Sequence, residues 1–173
     1  MSLTELEFSR PLAVDKIPAA GLEDVFEAKE SERQKLAERF GLLALSKLRA
    51  ELIVQSHGDQ TVHVTGRVIA DVVQQCGVTL EPLPTHVEKE ISVIFAAPEL
   101  IAEEGAGPSS PDEEEMEPII HGEIDLGELV SQNLGIALDP YPRKPGHEFV
   151  QAVYGDEDVR SNPFAELAKL RQE

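Results

Sequence analysis

Between Leu48 and Val72 almost every second residue is apolar, and few folds accommodate that pattern. Leu48, Ala50, Leu52 and Val54 alternate with Lys47, Arg49, Glu51 and Gln55. After Ser56-His57-Gly58-Asp59-Gln60 the alternation resumes, with Val62, Val64, Gly66, Val68, Ala70 and Val72 sharing one side. A period of two sends successive side chains to opposite faces of a strand, so one face is buried and the other solvated. Two such runs joined by a short polar turn predict a hairpin with a long second strand. Gly66 is expected to mark a bulge in it. Beyond Cys76 and a predicted turn at Pro82 and Pro84, a third strand runs through Val87, Ile91, Val93 and Phe95, with Lys89 interrupting. These strands make a β-meander.

The flanking segments supply a first strand and two helices. Leu6, Phe8, Leu12 and Val14 suggest the strand; Arg10 breaks its apolar set, and Pro11 puts it at an edge or a bulge. After a turn at Pro18 to Gly21, a short strand is expected around Val25-Phe26-Glu27. Ser31 with Gln34 reads as a capping box opening a helix, with Leu36, Ala37 and Phe40 inward and Gly41 as its C-cap. Asp125 with Glu128 reads the same way. There Leu126, Leu129, Val130, Leu134, Ala137 and Leu138 form one apolar stripe, and Pro140 and Pro142 end the helix. The expected class is α+β: an antiparallel sheet or partly closed barrel packed by two to three helices.

At 173 residues the chain suits one core, expected over residues 1–160. Residues 97–116, rich in Gly, Pro and Ser and carrying Asp112-Glu113-Glu114-Glu115, read as a mobile acidic loop within it, since little there can offset ordering entropy. Residues 161–173 read as a short helix or tail, capped by Ser161 or Asn162, with Phe164, Leu167, Ala168 and Leu170 on one side. No apolar run approaches the length of a membrane span and no signal-peptide pattern opens the chain, so a soluble, cytoplasmic protein is expected. The single Cys76 excludes an internal disulfide.

Charge narrows the function. The net charge is −18, and 13 acidic residues but no Lys or Arg lie between Glu90 and Pro142. A broad electrostatic grip on a phosphate backbone needs the opposite sign. Cations gather locally at Arg33, Lys35, Arg39, Lys47 and Arg49, and again at Arg143 and Lys144. A solvated helix face accounts for the first group; a weak RNA or ribosome contact is the competing reading. Aromatics are 5% of the chain and Trp is absent, so the stacking platforms of single-strand RNA binders are missing from the strands.

Catalytic and metal chemistry find little support. His57, His63, His86, His121 and His147 show no ligand spacing, and one cysteine does not make a structural zinc site. Cys76 could be a nucleophile if His63 or His86 approached it; a packed strand-end cysteine is the simpler reading. Gly105-Ala106-Gly107-Pro108 lacks the Lys and Ser/Thr of a phosphate loop. The carboxylate pairs Glu103/Glu104 and Glu113/Glu114 fall in the expected loop. No cofactor, metal or small-molecule substrate is expected.

Four segments in order carry a resemblance: Gln75-Cys76-Gly77-Val78-Thr79-Leu80-Glu81-Pro82-Leu83; Glu117-Pro118-Ile119 after the acidic gap; Ile124-Asp125-Leu126-Gly127-Glu128-Leu129-Val130; and Leu138-Asp139-Pro140-Tyr141-Pro142-Arg143-Lys144-Pro145-Gly146. Together they resemble the YceD family, the large ribosomal RNA subunit accumulation proteins, over roughly Leu45 to Gly146. Members often carry a Cys-x-x-Cys-like pair where this chain has Cys76 and Thr79, and some carry further cysteines where Asp139-Pro140-Tyr141-Pro142 stands. The resemblance implies a non-enzymatic factor in large-subunit ribosomal RNA accumulation and ribosome assembly, whose partner is a ribosomal protein or precursor RNA. The partner-binding residues expected are the helix ends, Asp125 and Glu128 at one and Tyr141, Arg143 and Lys144 at the other.

Overall fold

Strands β3 (Ala44–His57) and β4 (Thr61–Gln75) pair antiparallel, in unbroken register from Lys47 opposite Asp71 to His57 opposite Thr61. Leu48, Ala50, Leu52 and Val54 are buried, and so are Val62, Val64, Val68, Ala70 and Val72. The alternation therefore marks the inner face of a hairpin. The computed structural model describes residues 6–58, 61–104 and 116–146.

Around this hairpin the sheet grows to five strands. Strand β2 (Leu22–Glu27) pairs with β3, and β5 (Pro82–Ala96) runs antiparallel to β4 along its whole length. The short β6 (Met116–Pro118) adds parallel to the far end of β5, giving the order β2-β3-β4-β5-β6. A separate two-stranded pair joins β1 (Pro11–Ala13) to β7 (Glu123–Asp125). Helices α1 (Glu30–Phe40), α2 (Pro98–Glu104) and α3 (Leu126–Ala137) complete an α+β fold.

The core lies on one face of the sheet. Leu36 of α1 and Leu126, Leu129, Val130 and Leu134 of α3 join the strand residues in one buried apolar cluster. Each fully buried Leu or Val there contributes about 1.5–3 kcal/mol of transfer free energy. The outer face carries a line of ion pairs instead: Glu27 to Arg49 (3.2 Å), Arg49 to Glu51 (3.1 Å), Glu51 to Arg67 (2.8 Å) and Arg67 to Glu88 (3.1 Å). All are solvated, so they add little to stability.

Several expectations are corrected. Gly66 makes no bulge: it pairs with Leu52 on one side and Ile91 on the other without a break, and the irregularity lies between Leu45 and Lys47. Glycine is required because the strands approach closely. Its φ is +149°, and a Cβ built there would sit 2.0 Å from the Glu51 carbonyl oxygen. Pro82 and Pro84 lie inside β5, opposite Gln75 and Val73, rather than in a turn. Strand β6 borders only Ile94–Ala96, so among the described residues the prolines face an open edge, where a missing donor is tolerated.

The first strand is shorter than its apolar pattern. Phe8 leaves the ladder and is buried, its ring 5.8 Å from that of Phe26. Helix α1 starts one residue before Ser31, with Lys29 as N-cap, and Glu32 rather than Gln34 reaches back to accept from the Lys29 N–H at 2.7 Å. Gly41 ends it in the left-handed conformation, as expected. Part of the expected acidic loop is helical, as α2; Asp112–Glu115 and the expected helix from Ser161 or Asn162 to Leu170 lie outside the described residues.

Candidate functional site: the end of the sheet where two turns meet

Past Gln75 the chain reverses within six residues to begin β5. The Cys76 N–H donates to the Glu81 carbonyl (2.9 Å) and the Leu80 N–H to the Cys76 carbonyl (2.9 Å). Leu80 takes a φ of +60°, a strained conformation for a leucine, and Gln75 Nε2 secures its carbonyl at 3.2 Å. This turn is where α3 delivers its exit segment. Leu138 caps the helix, and Pro140 and Pro142 keep the exit segment from continuing as helix.

That segment lies across the turn. Gln74 Nε2 donates to the Asp139 carbonyl at 2.9 Å, the Gly77 N–H to the Pro142 carbonyl at 2.8 Å, and Lys144 Nζ to Glu81 at 2.9 Å. Beneath them is Cys76, with no exposed surface. Its sulfur accepts from the backbone N–H of Thr79 (3.5 Å) and of Lys144 (3.4 Å). A hydrogen bond from the Thr79 side chain, then backbone N–H groups of Thr79, Lys144 and Val78, pull the thiol down to about 6. Neither His63 nor His86 is hydrogen-bonded to it: His86 Nδ1 contacts Asp71 at 2.6 Å, and the His63 ring lies tilted against that of His57. The sulfur acts as a hydrogen-bond acceptor that ties two turns together.

Cys76–Thr79 and Asp139–Pro142, from two of the segments that carry the resemblance, thus come together here. The donors present do not suit a tetrahedral metal: one thiolate, and the Asp139 carboxylate already accepting from the Tyr141 N–H at 2.9 Å. Among the described residues no three His, Cys, Asp or Glu side chains converge on a metal-sized site.

The surface of this end is apolar and cationic. Leu80 and Tyr141 are 66% and 75% exposed, with Val78 beside them on the turn. Arg143 is exposed and makes no ion pair among the described residues. The α1–β3 turn is tied here by the Leu43 N–H to the Val73 carbonyl (2.8 Å), and it brings exposed Leu43 to the same end. The last turn of α3 brings exposed Ile136. Sequence reading singled out Tyr141, Arg143 and Lys144 but missed Val78, Leu80, Leu43 and Ile136. An apolar residue inside a tight turn, as at Leu80, was the available signal.

The other expected residues lie elsewhere. Along α3, which ends at Ala137, Asp125 lies about 18 Å and Glu128 about 14 Å from the C-terminal end. Asp125 is the N-cap, accepting from the N–H of Gly127 (2.9 Å), Glu128 (3.0 Å) and Arg10 (2.8 Å) and from the Ser9 hydroxyl. Glu128 does not reach back to complete a capping box; it pairs with Arg39 at 2.9 Å.

The sheet separates the first basic group. Arg33, Lys35 and Arg39 ride on α1, which covers the inner face, while Lys47 and Arg49 project from the outer one. Arg33 donates to the Ala28 carbonyl (2.6 Å), Arg39 pairs with Glu7 and Glu128, and Arg49 with Glu27 and Glu51. The five do not form one basic surface.

Among the described residues no helix is long and apolar enough to cross a membrane. Comparison with curated proteins found no match, and comparison with solved structures found none. The family model described as "Large ribosomal RNA subunit accumulation protein YceD" matches residues 64–171. That span is more than half of the chain and contains all four segments on which the resemblance rests, and this chain accordingly belongs to the YceD family.

Proposed function

We propose that this chain is a non-enzymatic cytoplasmic factor that supports accumulation of large-subunit ribosomal RNA by holding a component of the large-subunit precursor during assembly. Family membership over residues 64–171 is the observation that carries the reading. The partner surface in this proposal is the end bearing Leu80, Tyr141, Arg143 and Lys144. Solvated apolar side chains beside the exposed Arg143, which makes no ion pair among the described residues, supply both the area and the orientation that a protein interface uses. A net charge of −18 favours a basic ribosomal protein over bare RNA, with attraction that salt weakens.

Direct binding of precursor RNA is the second reading, favoured by one observation: exposed Tyr141 lies two residues from exposed Arg143, an aromatic face and a cation together. It predicts that Arg143→Ala with Lys144→Ala abolishes RNA retention and lowers the salt slope by about one per lost phosphate contact.

Sucrose gradients of cells with and without the protein test the proposal. Loss of large-subunit RNA without it, with the tagged protein near precursor particles and Leu80→Ser plus Tyr141→Ala failing to restore the RNA, is the expected result. Normal subunit ratios, with the protein free at the top, would overturn it.

A further inference from the structure

The outer face of the sheet holds a second surface, on the side away from α1 and α3. A shallow groove of about 480 Å³ opens where Gly66 lets β4 press against β3. Val25 and Ile53 line it, 54% and 43% exposed. They stand on neighbouring strands, Val25 opposite Glu51 and Ile53 opposite Glu23, close enough to form one apolar floor. These two aliphatic side chains stand together in water on an otherwise charged face.

The charges around that floor identify the occupant. Arg67 is already neutralised within the face, held by Glu51 at 2.8 Å and Glu88 at 3.1 Å. Glu23 on β2 and Glu90 on β5 also line the groove and make no ion pair among the described residues. Those two strands lie three places apart in the sheet, about 14 Å. Four carboxylates against one guanidinium leave the groove at −3. Nucleic acid would meet like charge. A second copy of this chain, docking face to face, would bring two such grooves together.

We propose that this groove receives a lysine- or arginine-rich protein segment, an aliphatic side chain seated on Val25 and Ile53 and flanking cations paired with Glu23 and Glu90. The inference rests on the reading that this chain holds a protein during large-subunit assembly, and it adds where a basic segment of that protein sits.

The probe is a fluorescein-labelled peptide in which single leucines are flanked by lysines, titrated by anisotropy against the full-length chain, with a glutamate-for-lysine peptide as control. The lysine peptide binds and the glutamate peptide does not. Glu23→Gln with Glu90→Gln weakens binding about fivefold at low salt, and Val25→Ser with Ile53→Ser does so without changing charge. Glu30→Gln with Glu99→Gln, an equal charge change elsewhere, leaves it unaltered. Equal weakening by both Glu→Gln pairs would mean a diffuse field and overturn the groove. A dimer dispersed by Val25→Ser with Ile53→Ser, peptide binding unchanged, would assign the face to a second copy and overturn it too.

The gradients separate this failure from that of the parent reading. Large-subunit RNA lost on deletion but fully restored by both groove variants overturns the groove alone. Groove-mapped peptide binding with normal RNA on deletion overturns the assembly reading alone.

Discussion

Arg39, in the last turn of α1, grips Glu128, in the first turn of α3, through two N–H···O bonds of 3.0 and 2.9 Å, and it reaches Glu7 at 3.1 Å as well. Each charge sits at the helix end whose dipole favours it. Sequence reading leaves Arg39 between a solvated helix face and a weak RNA contact and gives Glu128 to a partner surface, whereas in the fold they pair with each other. Both side chains are less than a third exposed, so the pair outweighs an ordinary surface bridge. A double-mutant cycle on Arg39→Ala and Glu128→Ala, read by urea unfolding, should give a coupling of about 1 kcal/mol. A coupling near zero would make the contact incidental.

Gly127 tests packing against helix propensity. Alanine in a helix is favoured over glycine by about 1 kcal/mol. At this site a Cβ would lie 2.7 Å from the Phe8 carbonyl oxygen and 2.9 Å from the Arg10 nitrogen, both backbone. Overpacking of that kind costs about 1–3 kcal/mol. Gly127→Ala is therefore expected to destabilise by up to about 2 kcal/mol in urea unfolding. A more stable variant would mean that the segment before β1 yields freely.

Gly66 is the stricter case. A Cβ there would run into the Glu51 carbonyl oxygen of β3, and the φ of +149° strains any side chain. Gly66→Ala should cost about 3 kcal/mol or more. It should also change the outer-face groove that Gly66 lines, a change that chemical shifts of Ile53 and Glu90 would report. A variant with wild-type stability would refute the close approach.

Cys76 predicts a pH dependence. Its thiol is held at about 6 in the fold, against an ordinary 9.0, by the Thr79 side-chain hydrogen bond first and the N–H groups of Thr79, Lys144 and Val78 after it. A depressed folded value means that the thiolate stabilises the fold: the contribution is full above pH 9, declines as pH falls, and is gone below about 6. Because the chain has one cysteine, thiolate absorbance near 240 nm reports it without ambiguity. The wild type should titrate near 6 and Thr79→Val higher. Iodoacetamide should nonetheless react slowly with the folded chain, since the sulfur has no exposed surface. Titration near the ordinary value in both proteins would remove the thiolate from the knot of turns.

What the sequence determined by itself was local and periodic. The two-residue alternation from Leu48 to Val72 predicted a hairpin and its buried face, because side-chain direction in a strand depends only on residue parity. Asp125, the stripe from Leu126 to Leu138 and the prolines after it delimited α3, because caps and breakers act within one turn of the chain. What the tertiary structure decided was every pairing across distance. Glu128 could equally have closed a capping box; it turned to Arg39, 89 positions away, because α1 and α3 pack on one sheet face. Gly66 read as a bulge, and only the closeness of β3 explains it. Cys76 was a lone thiol until Lys144, 68 positions on, was laid over it. Such contacts depend on how faces stack, and no local rule carries that information along the chain.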